Sequence, residues 1–212
     1  MKRQTIRSST GYAAVVTLAA GCAVFGPQLT TWNPAPVGAS WEIAQRNTGS
    51  YGKDTQLRIT RIADSTWKDI PVAAMKNTST GGTLLMQASD GNWLAMLGPD
   101  GKPFMSFEPA IGWMYPLYVG KSWTTRHKMT THASNQVTDY EMSCQVEEFE
   151  KVTVRAGTLD AFRVHCTNSI GNDDIMWSSP EVQPFVKTRL VRGPGSPFGP
   201  GTQESELVSR PS

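Results

Sequence analysis

From Gly38 onward, turn signals interrupt the chain about every ten residues, and the runs between them alternate apolar and polar side chains. Asp90-Gly91-Asn92, Pro99-Asp100-Gly101 and Ala156-Gly157-Thr158 are compositions that suit tight reversals. Long helical periodicity is absent. The pattern therefore predicts an all-β domain over residues 38–209, with at least ten antiparallel strands. The candidate strands are 39–47, 55–63, 67–75, 83–89, 92–97, 103–107, 121–132, 136–154, 159–168, 174–178, 184–192 and 202–209.

Two short segments recur at nearly the same spacing. Val37-Gly38-Ala39-Ser40-Trp41 returns as Val119-Gly120-Lys121-Ser122-Trp123, 82 residues later, and Pro103-Phe104-Met105 resembles Pro184-Phe185-Val186 at 81 residues. The offsets predict two repeated meander units, residues 37–107 and 119–190. Coincidence is the alternative, because Gly-x-Ser-Trp is short and the sequence between the matches agrees poorly. Either way, the tryptophan of each segment is expected to point into the core.

The N-terminus has the order of an export signal. Lys2, Arg3 and Arg7 precede a short apolar segment, residues 12–18, and then small residues. That segment is far shorter than the roughly 20 residues that cross a bilayer as a helix. Leu18-Ala19-Ala20-Gly21-Cys22 resembles the lipobox of bacterial lipoproteins, in which the cysteine receives lipid and becomes the new N-terminus.

The lipobox resemblance implies a signal peptide at 1–21, lipid on Cys22 and a lipidated tether at 22–37, which contains three prolines. In such lipoproteins an aspartate after the cysteine favours retention in the inner membrane. Ala23 stands at that position, which implies the outer membrane with the domain facing the periplasm. The alternative is an ordinary signal peptide cut after an A-x-A site, with Cys22 incidental.

Removing the signal changes the charge balance. Three of the 20 Lys and Arg residues lie in 1–21, so 17 remain against 18 Asp and Glu, a net charge of about −1. No cluster of Lys and Arg remains that could neutralise several phosphates. Nucleic acid is therefore not expected as a partner, whereas the membrane is, through Cys22.

Cys144 and Cys166 form an even pair in an exported domain. Each lies on the apolar face of its predicted strand, and the two strands flank the Gly157 turn. A disulfide between them is predicted, provided that a bulge near residues 147–150 absorbs extra residues in the first strand. Two buried free thiols are the alternative.

Residues with catalytic or ligating chemistry form no recognisable constellation. His127, His132 and His165 lack zinc-ligand spacing and are expected at the surface, solvated or singly bonded. Ser50-x-x-Lys53 and Ser65-x-x-Lys68 match a penicillin-recognition pattern, but the accompanying elements are missing. Nothing selects a pair of carboxylates for glycoside hydrolysis. We therefore expect neither an enzyme, nor a bound metal, nor a cofactor.

The aromatic side chains allow one functional interpretation. Five of them could line a cleft for lipid, glycan or peptide, although bulky aromatic residues in β proteins more often fill the core. They are Trp93, Trp113, Tyr115, Tyr118 and Trp177.

Residues 113–190 resemble a family of exported bacterial β proteins known only as a domain of unknown function. The resemblance rests on residues 115–123 (YPLYVGKSW), residues 152–164 (VTVRAGTLDAFRV), and Trp177-Ser178-Ser179-Pro180 followed by Val186-Lys187. It implies a curved antiparallel sheet or half-open barrel, similar to the lipoprotein carriers LolA and LolB. It implies no activity, because none is established for the family.

The sequence leaves two functions open. The first is a non-enzymatic lipoprotein of the cell envelope that acts as a binding or scaffolding module. The second is a carrier of lipid or another hydrophobic ligand, in which the curved sheet encloses an apolar cavity. A cavity of several hundred cubic ångströms would favour the carrier, and a filled core would favour the scaffold.

Overall fold

A computed structural model describes residues 26–182 and 184–212. The predicted signal peptide and Cys22 lie outside the described residues. Twelve strands follow one another in the described part of the chain. They are β1 (Ser40–Gly49), β2 (Thr55–Trp67), β3 (Ile70–Asn77), β4 (Thr83–Gln87), β5 (Trp93–Leu97), β6 (Pro103–Ile111), β7 (Ser122–Thr131), β8 (Gln136–Val154), β9 (Gly157–Asn168), β10 (Asn172–Ser178), β11 (Lys187–Arg192) and β12 (Gly201–Ser209).

Each strand pairs antiparallel with the next, and the last returns to the first. β1 pairs with β12 from Glu42 opposite Ser209 to Gly49 opposite Gly201, which closes the sheet into a barrel. The prediction of an all-β antiparallel fold is confirmed. The resemblance implies a half-open barrel, but the sheet closes completely. Each of the twelve described strands is therefore paired along both edges.

A meander of this kind places successive connections at alternate ends of the barrel. We call the end that holds residues 26–39 and 210–212 the terminal end. It also holds the connections β2–β3, β4–β5, β6–β7, β8–β9 and β10–β11. The far end holds the connections β1–β2, β3–β4, β5–β6, β7–β8, β9–β10 and β11–β12.

Part of the predicted tether packs on the terminal end. The backbone N–H of Leu29 donates to the Leu117 carbonyl at 3.0 Å, and Leu117 returns the bond at 2.8 Å. Leu29 and Trp32 are both buried. The Trp32 ring lies so close to Gly91 that an added Cβ there would come within 2.5 Å of it. Residues 29–32 are therefore held by the domain rather than spaced away from it.

The repeated Val-Gly-x-Ser-Trp segments occupy equivalent places in the strand order. Trp41 is the second residue of β1 and Trp123 the second residue of β7, and both are buried, as the sequence predicts. The other pair of segments differs, because Pro103 begins β6 whereas Pro184 lies in the β10–β11 connection. Duplication of residues 37–107 and 119–190 stays a prediction that superposition of the two segments would check.

Cys144 and Cys166 lie directly opposite each other on β8 and β9, and the structure joins them in a disulfide. Their Cα atoms are 4.1 Å apart. The register of the two strands shifts between Val146 and Glu148, so Glu147 is the extra residue of a bulge. The bulge lies within residues 147–150, where the sequence predicts it.

Replacing both cysteines with alanine is expected to leave the protein folded but less stable. The disulfide closes a loop with a sequence separation of 22, for which the chain-entropy model gives about 3 kcal/mol. Since 1 kcal/mol shifts the melting temperature of a domain of this size by about 2–4 °C, we expect a loss of roughly 6–12 °C by calorimetry.

The matched control is Ser143→Ala with Thr167→Ala, a facing pair one residue away on the opposite side of the same two strands. It should change the melting temperature far less. Two titratable thiols in the unfolded, unreduced wild type would contradict the bridge.

Candidate functional site: a cavity inside the barrel

The barrel is not completely filled. An internal cavity of about 380 Å³ lies between strands β1 to β5 on one side and β11 and β12 on the other. Its deeper wall is formed by apolar side chains, among them Trp41, Met86 and Leu207, which are nearly inaccessible to solvent. A cavity of several hundred cubic ångströms with predominantly apolar walls is the usual form of a small-molecule site.

An aromatic floor closes the cavity toward the terminal end. The ring of Phe185 meets Trp93 edge to face at a centroid distance of 6.1 Å, and it meets Trp113 at 5.6 Å. Phe185 belongs to the β10–β11 connection, which therefore folds into the barrel instead of continuing as strand. Asn92 fixes the position of Trp113, because its Oδ1 accepts the Trp113 N–H at 2.6 Å and its Nδ2 donates to the Trp113 carbonyl at 3.2 Å.

The opening of the cavity lies toward the far end. Thr80 of the β3–β4 connection and Phe104 near the start of β6 both line it, and Thr80 is exposed. Phe104 keeps 44 % of its surface exposed, which is unusual for so large an apolar side chain beside a cavity. A ligand would therefore reach the cavity at the end opposite to the chain's N-terminal segment.

Uncharged polar side chains line one side of the cavity near this opening, among them Gln45, Gln203 and Ser205. Gln45 Nε2 donates to Ser205 Oγ at 3.3 Å, and the Thr55 hydroxyl donates to Gln45 Oε1 at 2.8 Å. Gln203 Nε2 donates to Asn47 Oδ1 at 3.0 Å. We call these three lining residues, together with their hydrogen-bond partners Asn47 and Thr55, the polar rim. Because they bond to one another, they are oriented without any charged partner.

Lys187 and Glu206 also contribute to the wall, but their charges have partners elsewhere. Lys187 Nζ lies 5.0 Å from the centroid of the Trp177 ring, and Glu206 Oε1 lies 2.9 Å from Arg155 Nε. Both residues alternate with inward-facing neighbours along their strands, so their charged groups are directed to the outer surface.

A separate half-buried acid, Asp174, lies near the far end of the barrel. Asp174 faces Cys166 across the β9–β10 ladder and therefore points inward. Burial raises the pKa of Asp174 to about 7, although the Val191 N–H that donates to its Oδ1 at 3.2 Å and the Arg192 guanidinium act in the opposite direction. Arg192 itself stacks on the Tyr51 ring at 3.9 Å.

Only part of the predicted aromatic set lies at this site. Trp93 lines the cavity and Trp113 supports its floor, as the cleft interpretation expects. The other three lie elsewhere: Tyr115 lines a different hollow, Tyr118 lies beside Lys121, and Trp177 donates its indole N–H to Glu150 at 2.7 Å.

Phe185 and the polar rim were not among the residues that the sequence predicts for a site. For the rim a signal was available in the alternation along β1, which places Trp41, Ile43, Gln45 and Asn47 on one face. A face that changes from apolar to polar along its length indicates a wall that approaches solvent at one end.

The expectation of surface histidines is wrong for His127. This residue is buried on the same face of β7 as Trp123 and Met129. Its Nδ1 lies 2.9 Å from the Pro109 carbonyl and its Nε2 lies 2.8 Å from the Thr125 hydroxyl, which satisfies both ring nitrogens. The expectation of a single bond is also wrong for His165, whose ring lies between Glu147 and Asp173 at 3.1 and 2.9 Å.

Metal ligation finds no support in the described part of the chain. Within residues 26–182 and 184–212, no group of three His, Cys, Asp or Glu side chains is arranged to hold a metal ion. Nor do these residues form an apolar helix of membrane-spanning length.

The geometry places the chain in the class of closed antiparallel barrels that enclose a cavity of ligand size.

No family model and no curated protein matches the sequence. Several solved structures are similar in fold at low sequence identity. One is a protein of Parabacteroides distasonis provisionally named a lipoprotein, with a TM-score of 0.43 and 11 % identity, covering 85 % of this chain and 98 % of that one.

Two further structures are similar to the same extent. An exported protein of Bacteroides fragilis, provisionally assigned and described as having a YmcC-like fold, gives a TM-score of 0.48 at 15 % identity, covering 85 % of this chain and 98 % of that one. The hypothetical lipoprotein YmcC of Escherichia coli gives 0.46 at 10 % identity, covering 81 % and 84 %.

Proposed function

We propose that this protein is a lipoprotein of the cell envelope that binds a hydrophobic small molecule inside its barrel. The observation that carries the proposal is the cavity of about 380 Å³ with apolar walls and an aromatic floor. Of the two functions that the sequence left open, the ligand carrier is therefore preferred over the scaffold, which would need no internal space.

The cavity has an energetic cost that a ligand would offset. Side chains around an empty space lose the dispersion contacts that a packed core would supply, and cavities destabilise folds in proportion to their volume. At roughly 30 Å³ for each small group, the share of one water in the liquid, the space holds on the order of a dozen carbon and oxygen atoms. An acyl chain of moderate length fits this estimate.

Attachment through Cys22 would set the direction in which the cavity opens. Residues 26–39 enter at the terminal end, where Leu29 pairs with Leu117, and the cavity opens toward the far end. The four residues from Cys22 to Gly26 extend over at most about 14 Å. A lipid on Cys22 would hold the terminal end close to the outer membrane and leave the opening directed into the periplasm.

We propose no catalytic step for this site. The polar groups near the opening are amides and hydroxyls that bond to one another. Such groups orient a ligand, whereas acid–base or nucleophilic chemistry requires an ionisable group or an activated nucleophile within reach of it.

The test is to fill the cavity and measure binding of a neutral hydrophobic dye, N-phenyl-1-naphthylamine, to the purified full-length chain. Leu84 lines the cavity, and Leu84→Trp would occupy part of the space. We expect the dye's dissociation constant to rise at least about tenfold, which corresponds to a loss of about 1.4 kcal/mol.

Val137→Trp is the matched control. Val137 is 60 % exposed on β8 and does not line the cavity, so the same introduced side chain should leave dye binding unchanged. Equal affinities for the wild type and the Leu84→Trp variant, with both folded by circular dichroism, would contradict binding inside the barrel.

A further inference from the structure

We infer that the ligand is a single acyl chain with an uncharged polar head group, bound with the chain toward Phe185 and the head at the polar rim. This inference rests on the proposed function and specifies the class of molecule that the same cavity takes. It is based on how the inward-facing side chains change in polarity along the strands of the cavity wall.

Two neighbouring strands show the same change from the floor to the opening. On β1 the inward positions are Trp41, Ile43, Gln45 and Asn47 in chain order. β12 runs antiparallel to β1. Its inward positions, read from the floor toward the opening, are Leu207, Ser205 and Gln203. The register confirms this alignment, because Ile43 faces Leu207, Gln45 faces Ser205 and Asn47 faces Gln203. On this side of the cavity the wall is therefore apolar at the floor and polar near the opening.

Two of the other strands, β3 and β2, repeat this order, whereas β4, β5 and β11 stay apolar up to the opening, at Leu84, Met96 and Leu190. Met75 is followed by Asn77 on β3, and Ile59 and Leu57 lie below Thr55 on β2. An amphipathic ligand that enters from the far end would match its own polarity to the wall only with its apolar part innermost. The reversed orientation would bury the head group against the aromatic floor, where its polar atoms would find no hydrogen-bond partner to replace water.

The chemistry of the rim selects the head group. Amides and hydroxyls both donate and accept hydrogen bonds, so they suit a head that does the same, such as the hydroxyls of glycerol or a sugar. A carboxylate or an ammonium group would lose hydration on entering and would need an opposite charge to offset that loss. Lys187 and Glu206, the charged residues in the wall, are already paired with Trp177 and Arg155 on the outer side.

The experiment compares three ligands that share a ten-carbon chain and differ in head charge. Monodecanoylglycerol, decanoate and decyltrimethylammonium are each used below micelle formation to displace N-phenyl-1-naphthylamine from the full-length chain. We expect monodecanoylglycerol to bind at least about tenfold more tightly than either ion. In Leu84→Trp its affinity should fall together with that of the dye.

A charge placed on the rim should change the preference. Gln203→Lys keeps a donor for Asn47 and adds a cation beside the head group, so decanoate should gain affinity relative to monodecanoylglycerol. Gln56→Lys is the matched control, because Gln56 is exposed on the outer face of β2 and bonds to Glu42 there. It should leave the ratio of the two affinities unchanged.

The outcomes separate the two proposals. If the dye binds in the cavity but an ion binds as tightly as monodecanoylglycerol, or if none of the three displaces the dye, the inferred ligand class is wrong and the binding function stands. If Leu84→Trp does not weaken dye binding, the proposed function fails and the ligand class fails with it.

Discussion

Replacing Asp174 with asparagine is expected to raise the free energy of unfolding by up to about 4 kcal/mol at pH 9. The pKa of this carboxyl rises from its ordinary value of 3.8 to about 7 because the fold buries it. Each pKa unit corresponds to about 1.4 kcal/mol, so ionising Asp174 inside the barrel costs the folded state this amount. Asparagine keeps an oxygen for the Val191 N–H without ever carrying the charge.

The sign of the pH dependence follows from proton linkage. Between pH 4 and pH 7 the folded wild type holds a proton on Asp174 that the unfolded chain has released, so the wild type loses stability as the pH rises through this window. The variant does not titrate at this position. Its advantage should therefore be near zero at pH 4, grow up to about pH 7 and remain constant above it.

Urea unfolding followed by tryptophan fluorescence at pH 4, 6 and 9 measures this difference. Asp100→Asn is the matched control, because the Asp100 carboxyl also accepts one backbone N–H, from Lys102, but is exposed in the β5–β6 connection. The control should show no comparable growth with pH. A difference between wild type and Asp174→Asn that is the same at pH 4 and pH 9 would rule out the buried acid.

Most strands could be located from the sequence because a closed meander exposes one face of a strand to water and the other to the interior. β3 to β5 are exceptions, since they bury residues on both faces. The candidate strand at 136–154 coincides with β8, and the one at 121–132 extends β7 by one residue at each end. The prediction at 103–107 ends too early, since β6 continues through Pro109 to Ile111. Proline removes a backbone donor and normally marks a sheet edge or an irregularity. Pro109 therefore favoured a strand that ends before it.

The cavity was less accessible to sequence reasoning. Alternation shows that Trp41, Ile43 and Gln45 share a face, but whether facing side chains fill the space between them depends on packing across the whole barrel. Phe185 illustrates the limit. Residues 184–186 continue naturally into a strand at 187–192, and only tertiary contacts with Trp93 and Trp113 show that Phe185 instead forms the floor.

His127 shows the opposite situation, in which the signal was present in the sequence. It shares parity with Trp123 and Met129, both large and apolar, so the pattern of β7 already placed it on the inner face. The general tendency of histidine to lie at the surface favoured the wrong prediction over that pattern. Burial is tolerated because both ring nitrogens have hydrogen-bond partners, the Pro109 carbonyl and the Thr125 hydroxyl.

Replacing Cys22 with serine is expected to move the protein from the membrane fraction to the soluble fraction of the cell envelope. The prediction rests on the Leu18-Ala19-Ala20-Gly21-Cys22 segment behind a basic and an apolar region. Each buried methylene contributes about 0.8 kcal/mol, so two or three acyl chains on Cys22 anchor the protein lastingly, and their loss removes the only covalent membrane attachment that the sequence predicts.

Labelling with radioactive palmitate, followed by fractionation, measures attachment and lipid together. The double variant Cys144→Ser and Cys166→Ser is the matched control, because it removes the other two of the three cysteines while leaving Cys22 in place. It should still incorporate label and remain with the membrane, whereas Cys22→Ser should lose both. Absence of label from the wild type would refute lipidation. The proposal that the cavity opens into the periplasm would then lose its basis. Ligand binding inside the barrel does not depend on lipidation and is tested separately.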